Sequence, residues 1–324
     1  MTHAIRMYRT GGPEVLQWEA VDVPIPGPKE VRLRHTAVGL NYIDVYYRTG
    51  LYAAPLPFSP GLEAAGVVES VGTEVTHLQV GDRVAYSSGP LGAYSEARVI
   101  AAERVIKLPE GITDRQGAAM MLQGMTAEYL VRRTYPVKAG DTILIHAAAG
   151  GVGLLACQWA KHLGATVIGT VGSPEKAALA KANGCDYPIV YTQEDFQARV
   201  MEITGGAKVP VVYDSVGRDT FEKSLDCLAP RGLLALFGQA SGPVPPFDLG
   251  QLAAKGSLYV TRPTLFTYTA SRADLEASSN ALFDVVTSGI VNITINQTYA
   301  LRDAADAQRD LEARRTTGST VLIV

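Results

Sequence analysis

Between Val31 and about Val105, short runs rich in Val and Thr alternate with glycine turns, as in VRLRHTAVG, AAGVVESVG, GDRVAY and YSEARVI. This rhythm predicts an antiparallel, barrel-like β region. Near Asp114 the period changes. Ala118, Ala119, Leu122, Ala127 and Leu130 fall at helical spacing, in a run that reaches Arg133 and stops before Pro136. After Ala139 strand and helix alternate: TILIH, a helix from Val152 to Leu163 closed by Gly164, TVIGTV, and a helix from Pro174 to Asn183 closed by Gly184. Proline at a helix start and glycine past its end are the expected punctuation. YPIVY, a helix from Phe196 to Ile203, VPVVYD, a helix from Thr220 to Cys227, GLLALFG and GSLYV continue the alternation. Six strands separated by helices imply a doubly wound parallel sheet in an α/β chain. From Arg262 a helix (Ser271 to Ser288), a strand (Val291 to Ile295), a helix (Asp303 to Ala313) and TVLIV follow. That tail is too short to fold alone and is expected on the first domain. The expected division is a β-rich domain over 1–125, a dinucleotide-type domain over 126–261 and a returning segment over 262–324.

Composition narrows the function classes. The 324 residues are 47% hydrophobic and 19% charged, which suits two packed domains and excludes disorder. Lys and Arg number 29 against 32 Asp and Glu, a net charge of −3, and no basic run would track a phosphate backbone. Nucleic acid is not the expected partner. Cys157, Cys185 and Cys227 form no Cys-x-x-Cys pair, which argues against a disulfide framework or multi-cysteine zinc site and for a reducing, cytosolic setting. Ile143 to Ala160 is apolar enough to suggest a membrane span, but its Ala-Ala-Ala-Gly-Gly-Val-Gly centre suits a buried strand turning into a buried helix. MTHAIRMYRTGGPE lacks the apolar region of a secretory signal.

The first strand of the alternating region runs into Ala148-Ala149-Gly150-Gly151-Val152-Gly153, a relative of G-x-G-x-x-G with alanine in the first glycine position. Such a turn brings backbone N–H groups and a helix N-terminus against a pyrophosphate, and Gly153 lets helix and sheet pack closely. An NAD site usually places an acid about 20 residues on. Here Thr170-Val171-Gly172-Ser173-Pro174-Glu175-Lys176 has no acid at the strand end. A carboxylate about 4 Å from a 2′-phosphate would cost roughly 4 kcal/mol at an effective dielectric near 20, about a thousandfold in affinity. Its absence, with Lys176, favours NADPH. The plainer alternative is that Ser173 only caps a helix and Lys176 is a solvated lysine, with Glu175 able to turn toward the ribose.

Gly140-Asp141-x-x-Leu144-x-x-x-Ala148-Ala149-Gly150-Gly151-x-Gly153-x4-Gln158-x-x-Lys161 resembles, without mismatch, the sequence pattern of the NADPH:quinone oxidoreductases (ζ-crystallin-like) of the medium-chain dehydrogenase/reductase superfamily. GGPEVL (11–16), GLNYIDVYYRTGLY (39–52), GLEAAGVVESVG (61–72), VVYDSVGRDTFEKSLDCL (211–228) and KGSLYVTRP (255–263) extend the likeness, closest to bacterial quinone oxidoreductases, over nearly the whole chain. The resemblance implies a GroES-like catalytic domain beside a six-stranded Rossmann sheet. Zinc-dependent relatives carry a cysteine near the position of Asn41 and Gly-His-Glu where this chain has Gly61-Leu62-Glu63, so no catalytic zinc is expected. His146, beside the glycine turn, reads as a core histidine.

By the same resemblance Asn41, Asp44, Tyr46 and Tyr52 line the cleft around nicotinamide and substrate, with Arg262 nearby. Their hydroxyl and amide groups could donate to an oxygen that gains charge, and the rings could stack on a quinone. Without the likeness, Tyr42, Tyr46, Tyr47 and Tyr52 would read as one aromatic patch covering the barrel. Asn41, Tyr46, Thr126, Tyr191, Ser215, Phe237, Gly238 and Arg314 carry over as cofactor contacts beside Gly150, Gly151, Val152, Gly153, Ser173 and Lys176 of the turn and strand end, with Arg314 and Arg315 adjacent candidates for one place. The expected activity is NADPH-dependent quinone reduction without metal or flavin. Reduction of α,β-unsaturated aldehydes or ketones is the rival, and an RNA-binding or structural role the alternative of another class. A homodimer is expected through an edge strand around Leu258 to Val260, each subunit contributing the same residues.

Overall fold

The computed structural model describes residues 2–324 and divides into two compact units. The first unit comprises the chain up to Met125 together with Thr269–Thr287 and Ile293–Val324; the second comprises Thr126–Tyr268 and Ser288–Asn292.

The first unit opens with a two-stranded antiparallel sheet of β1 (Thr2–Arg6) and β2 (Gln17–Val21). Then come β3 (Glu30–Leu40), α1 (Tyr42–Thr49), β4 (Ala64–Val71), β5 (Arg83–Tyr86), β6 (Ala97–Ala101), β7 (Ile106–Lys107) and α2 (Asp114–Tyr129), whose last residues enter the second unit. The second unit continues with β8 (Thr142–Ile145), α3 (Gly151–His162), β9 (Thr166–Val171), α4 (Pro174–Ala182), β10 (Tyr187–Val190) and α5 (Phe196–Ile203). It ends with β11 (Val209–Asp214), α6 (Phe221–Asp226), β12 (Leu228–Leu236), α7 (Gly250–Ala254), β13 (Tyr259–Thr261) and α8 (Leu265–Tyr268). The chain then gives the first unit α9 (Arg272–Thr287), β14 (Ile295–Ala300), α10 (Ala304–Glu312) and β15 (Ser319–Ile323).

The second unit's sheet has six parallel strands in the order β10-β9-β8-β11-β12-β13. Its strands read as continuous apolar runs because helices cover both faces, as in a doubly wound fold. Leu144, Ile168, Val212 and Leu234, from its four central strands, share one apolar cluster and are wholly buried. The first unit's main sheet runs β14-β15-β3-β4-β5-β7, with β6 also on β3. The C-terminal strand pairs antiparallel with β3, Thr320 opposite Leu40 through Ile323 opposite Ala37. Val31, Leu33, Val38, Tyr86, Ile100 and Leu322 pack together beneath it.

Several expectations shift. The helical run read to Arg133 ends as α-helix at Tyr129, and Leu130–Thr134 forms a π-helical turn. The strand expected at Val291 to Ile295 lies later, at β14. The edge strand is only Tyr259–Thr261, and Leu258 packs into the second unit's core at 6% exposure. Pairing with β12 begins only at Tyr259, opposite Leu233; Leu258 before it faces the core, and Tyr259 and Val260 lie at the surface, at 61% and 39%. Among the described residues no helix is long and apolar enough to cross a membrane.

Candidate active site

In the second unit, the turn after β8 is built by what its residues lack. Gly150 is the extended N-cap of α3. Ala147 takes φ +53°, a left-handed conformation that costs a residue with a Cβ on the order of 1 kcal/mol. Ala148 fits in the first glycine position because Gly169 on β9 faces it; a Cβ there would lie 2.6 Å from the Ala148 methyl. A Cβ on Gly153 would lie 2.2 Å from the Ala147 carbonyl oxygen, so α3 seats on the turn only through glycine. A Cβ on Gly150 would meet only that carbonyl, at 3.2 Å, which leaves a cradle. The first N–H groups of α3, those of Gly151, Val152 and Gly153, have no intrahelical partner and carry the positive end of the helix dipole. The turn fits a pyrophosphate.

The neighbouring strand ends supply the other expected cofactor residues. Ser173 caps α4, accepting from the Lys176 N–H at 3.4 Å. The exposed Glu175 carboxyl is held below the usual carboxylate range chiefly by the Ser173 hydroxyl, so it is turned onto the cap. Tyr191 donates its N–H to the Val171 carbonyl, and its hydroxyl lies 3.2 Å from where a Gly172 Cβ would stand. At the end of β11, Asp214 Oδ1 accepts from the N–H groups of Val216 at 2.7 Å and Gly217 at 3.1 Å. Its carbonyl accepts from Phe237 and Gly238, and a Gly238 Cβ would stand 2.6 Å from the Ser215 carbonyl oxygen. Ser215, Phe237 and Gly238 are thereby drawn together at the carboxyl ends of β11 and β12, where doubly wound sheets bind ligands. Arg262 follows β13 and donates to the Leu236 carbonyl at 2.9 Å. Thr126, 6% exposed on α2, hydrogen-bonds Tyr129.

His146 has the company of a Ser and an Asp but not the geometry of a nucleophilic triad. Its Nδ1 meets the Thr170 hydroxyl at 2.8 Å and its Nε2 the Ser224 hydroxyl at 2.9 Å, and Ser224 in turn donates to Asp214 Oδ2 at 3.3 Å. The carboxylate thus faces the serine rather than the imidazole, and all four residues are buried. Because Ser224 spends its proton on Asp214, the imidazole donates from Nε2 and accepts at Nδ1. Burial holds its pKa down, so it stays neutral. It is a satisfied core histidine.

In the first unit, α1 gathers the expected substrate residues. Asn41 is the N-cap, 4% exposed, and its backbone N–H donates to Asp44 Oδ2 at 2.9 Å. Tyr94 donates to the same oxygen at 2.9 Å, and Gln308 donates to the Tyr94 hydroxyl at 3.4 Å. Asp44 Oδ1 has no hydrogen-bond partner among the described residues, and burial pushes the carboxyl up to about 7 against the pull of these donors. Asn41 Nδ2 donates to Glu63 Oε2 at 2.6 Å, and Gln123 Nε2 donates to Asn41 Oδ1 at 3.1 Å. Both ends of the Asn41 amide are therefore engaged, so it has one N–H, not two, to offer a ligand. Tyr46 and Tyr52 lie 5.1 Å apart between ring centres, and Tyr47 meets Tyr52 edge-on at 5.6 Å. Tyr46 is 7% exposed and accepts the Tyr52 N–H on its carbonyl at 3.0 Å. Arg314 is exposed at φ +59°, and its charge and that of Glu312 reach the Tyr42 hydroxyl. Arg315 is committed to Asp310 through Nε at 2.9 Å.

Sequence reasoning missed Glu63 as a site residue, and Gln123, Ser319 and Tyr94 altogether. The only signal was Glu63 itself, in the Gly61-Leu62-Glu63 string; the other three carry no local pattern.

An alcohol dehydrogenase GroES-like domain model matches residues 27–110 and a zinc-binding dehydrogenase model residues 151–278. A quinone oxidoreductase of Pseudomonas aeruginosa is 57% identical over the whole of both chains. The chain belongs to the quinone oxidoreductase family. A 2-haloacrylate reductase of a Burkholderia species is 48% identical, covering 100% of this chain and 99% of that one. The crystal structure of Escherichia coli quinone oxidoreductase complexed with NADPH superposes with a TM-score of 0.98 at 49% identity, covering both chains fully. Among the described residues of this quinone oxidoreductase family member, no three or more His, Cys, Asp or Glu side chains form a group that could hold a metal ion.

Proposed function

We propose that this chain catalyses the reduction of quinones by NADPH, without metal or flavin. Its full-length 57% identity to a quinone oxidoreductase carries the reading, supported by a turn that leaves room for a pyrophosphate and by the lack of an acid at the end of β9. NADPH, when bound, supplies the hydride. The chain's residues orient it, exclude water and hold hydrogen bonds to the oxygen that gains charge. Gly150 to Gly153 take the pyrophosphate; Ser173, Lys176 and Tyr191 surround the 2′-phosphate; Thr126, Ser215, Phe237, Gly238 and Arg314 complete the cofactor contacts. Asn41, Asp44, Tyr46, Tyr52 and Arg262 act on nicotinamide and quinone, with the proton delivered through water from Tyr46 or Tyr52. Steady-state assays with benzoquinone, a fused-ring quinone and an alkenal test the reading. Fastest NADPH oxidation is expected with a quinone, and none with any quinone would overturn it. Preference for the alkenal would favour the second reading, enone reduction, which the 2-haloacrylate reductase relative motivates.

Lys176→Ala should weaken NADPH binding at least tenfold and leave NADH nearly unchanged, read by calorimetric titration. Equal losses would place Lys176 away from the extra phosphate. A cytoplasmic location accords with three free, buried thiols. Pairing of β13 with a second copy through Tyr259 and Val260 would cover an edge strand that, among the described residues, pairs only with β12, forming a homodimer. Light scattering at micromolar concentration should give twice the 34.5 kDa chain mass.

A further inference from the structure

The hydrogen bonds around Asn41 form a chain with one direction. Ser319 Oγ lies 2.7 Å from Gln123 Oε1 and 2.9 Å from the Ala119 carbonyl oxygen. Gln123 donates to Asn41, Asn41 donates to Glu63 Oε2, and Glu63 Oε1 accepts from the Leu122 backbone N–H at 2.8 Å. Ser319 and the two amides can all reverse, since a hydroxyl rotates and an amide flips. The Leu122 N–H cannot. The direction is therefore imposed at the Glu63 end. We propose that Glu63 is a positioning residue that sets which end of the Asn41 amide is the donor, and hence whether Asn41 offers its spare N–H or its spare lone pair at a given point of the site. The inference rests on the reading that Asn41 acts on nicotinamide and substrate.

Reversal needs only one hydrogen. If Glu63 Oε2 carries a proton, it donates to Asn41 instead of accepting. The Asn41 amide then flips, Gln123 flips after it, and Ser319 turns its hydroxyl to the Ala119 carbonyl. Every group stays satisfied, so the two polarities differ little in packing. Glu63→Gln locks the reversed polarity: its carbonyl must face the Leu122 N–H, which leaves its NH2 toward Asn41. In the wild type the proton itself can do this. Glu63 is wholly buried, and burial with the nearby Asp44 charge pushes its carboxyl up to about 8 against the donors from Asn41, Leu122 and Met121. The titratable groups that face it are Asp44 on α1 and Tyr86 on β5, and burial keeps the Tyr86 hydroxyl protonated above the ordinary tyrosine range.

The test compares Glu63→Gln and Asn41→Ala with wild type by quinone-dependent kcat/KM from pH 6 to 9 and by thermal melting. Expected for Glu63→Gln is an unchanged or raised melting temperature with kcat/KM at least tenfold below the wild-type alkaline value. Its profile should also lose the ionisation that carries the wild type upward with pH. An Asp44→Asn profile separates the two carboxyls, because the limb due to Glu63 survives in it. A merely structural Glu63 would give a folded Glu63→Gln enzyme with the wild-type profile, and that result, with Asn41→Ala impaired, overturns the proposal. Full activity of Asn41→Ala would instead overturn the reading of Asn41. Should Glu63→Gln not fold, Gln123→Glu reverses the same amide from its other end, and wild-type kcat/KM in that variant is equally fatal.

Discussion

Replacing Gly153 by alanine should abolish NADPH binding and cost about 3 kcal/mol of stability, the upper end for forcing an extra methyl into a packed site. The new Cβ would stand 2.2 Å from the Ala147 carbonyl oxygen and 2.8 Å from the Ala148 backbone, and no side chain can yield to relieve it. Either α3 lifts from the turn or the turn opens, and both displace the N–H groups that the pyrophosphate needs. Gly150→Ala separates fold from ligand. Its Cβ meets only the Ala147 carbonyl, at 3.2 Å, so melting should fall by no more than about 2 °C, under 1 kcal/mol for a unit of this size. The added methyl would nevertheless occupy the cradle, and NADPH affinity should drop at least tenfold. Circular dichroism melts and calorimetric titrations read both. A Gly153→Ala protein that binds NADPH like wild type would refute the close-seating account.

The second large effect belongs to Asp44. Asp44→Ala leaves the Asn41 N–H and the Tyr94 hydroxyl without their acceptor inside the first unit. At about 1–3 kcal/mol per buried unsatisfied group, the loss is about 2–6 kcal/mol. Asp44→Asn keeps an oxygen for both donors and should lose less. It should also change the pH dependence. Burial raises the Asp44 carboxyl from 3.8 to about 7, so between those values the folded chain holds a proton that the unfolded chain has released. The group's contribution is complete below about pH 4 and is lost as pH rises through about 7. Three pKa units bound the effect at roughly 4 kcal/mol. Glu63 is raised in the same sense and repels Asp44, so the two share the slope. Urea midpoints at pH 5, 6.5 and 8 should fall for wild type and fall less for Asp44→Asn. Equal slopes would show that Asp44 does not hold the proton.

What could be read from the chain beforehand was whatever sequence neighbours decide. The glycine turn, the alternation from Thr142 to Leu236 and the helix punctuation are local, and each lies where its pattern put it. The polar chain through Asn41 is different in kind: Glu63, Gln123 and Ser319 join it across separations of 22, 82 and 196 positions. Such contacts follow from how β3, β4, α2 and β15 are brought together, which periodicity does not encode. The edge strand failed for a smaller reason. GSLYV predicts one edge strand from Gly256 to Val260, but ladder pairing with β12 starts only at Tyr259, and Leu258 before it faces the core. The helix α1 was hidden because NYIDVYYRT, with its β-branched and aromatic residues, shows little helix propensity. The Asp44 carboxyl bound to the Asn41 N–H and the left-handed Gly50 delimit it instead.

The pairing of β15 with β3 bears on how the protein is made. A ribosome releases β3 well before the strand that completes its hydrogen bonding from Ala37 to Leu40, which follows only after the whole six-stranded sheet has been made. Until then the nascent first unit carries an unpaired edge in the middle of its sheet, the kind of surface on which chains aggregate. The six-stranded sheet, contiguous in the chain, has every strand available long before. Cotranslational folding should therefore complete the six-stranded sheet before the first unit's main sheet. β3 must wait for β15, with its Ala37 to Leu40 edge open in the interval.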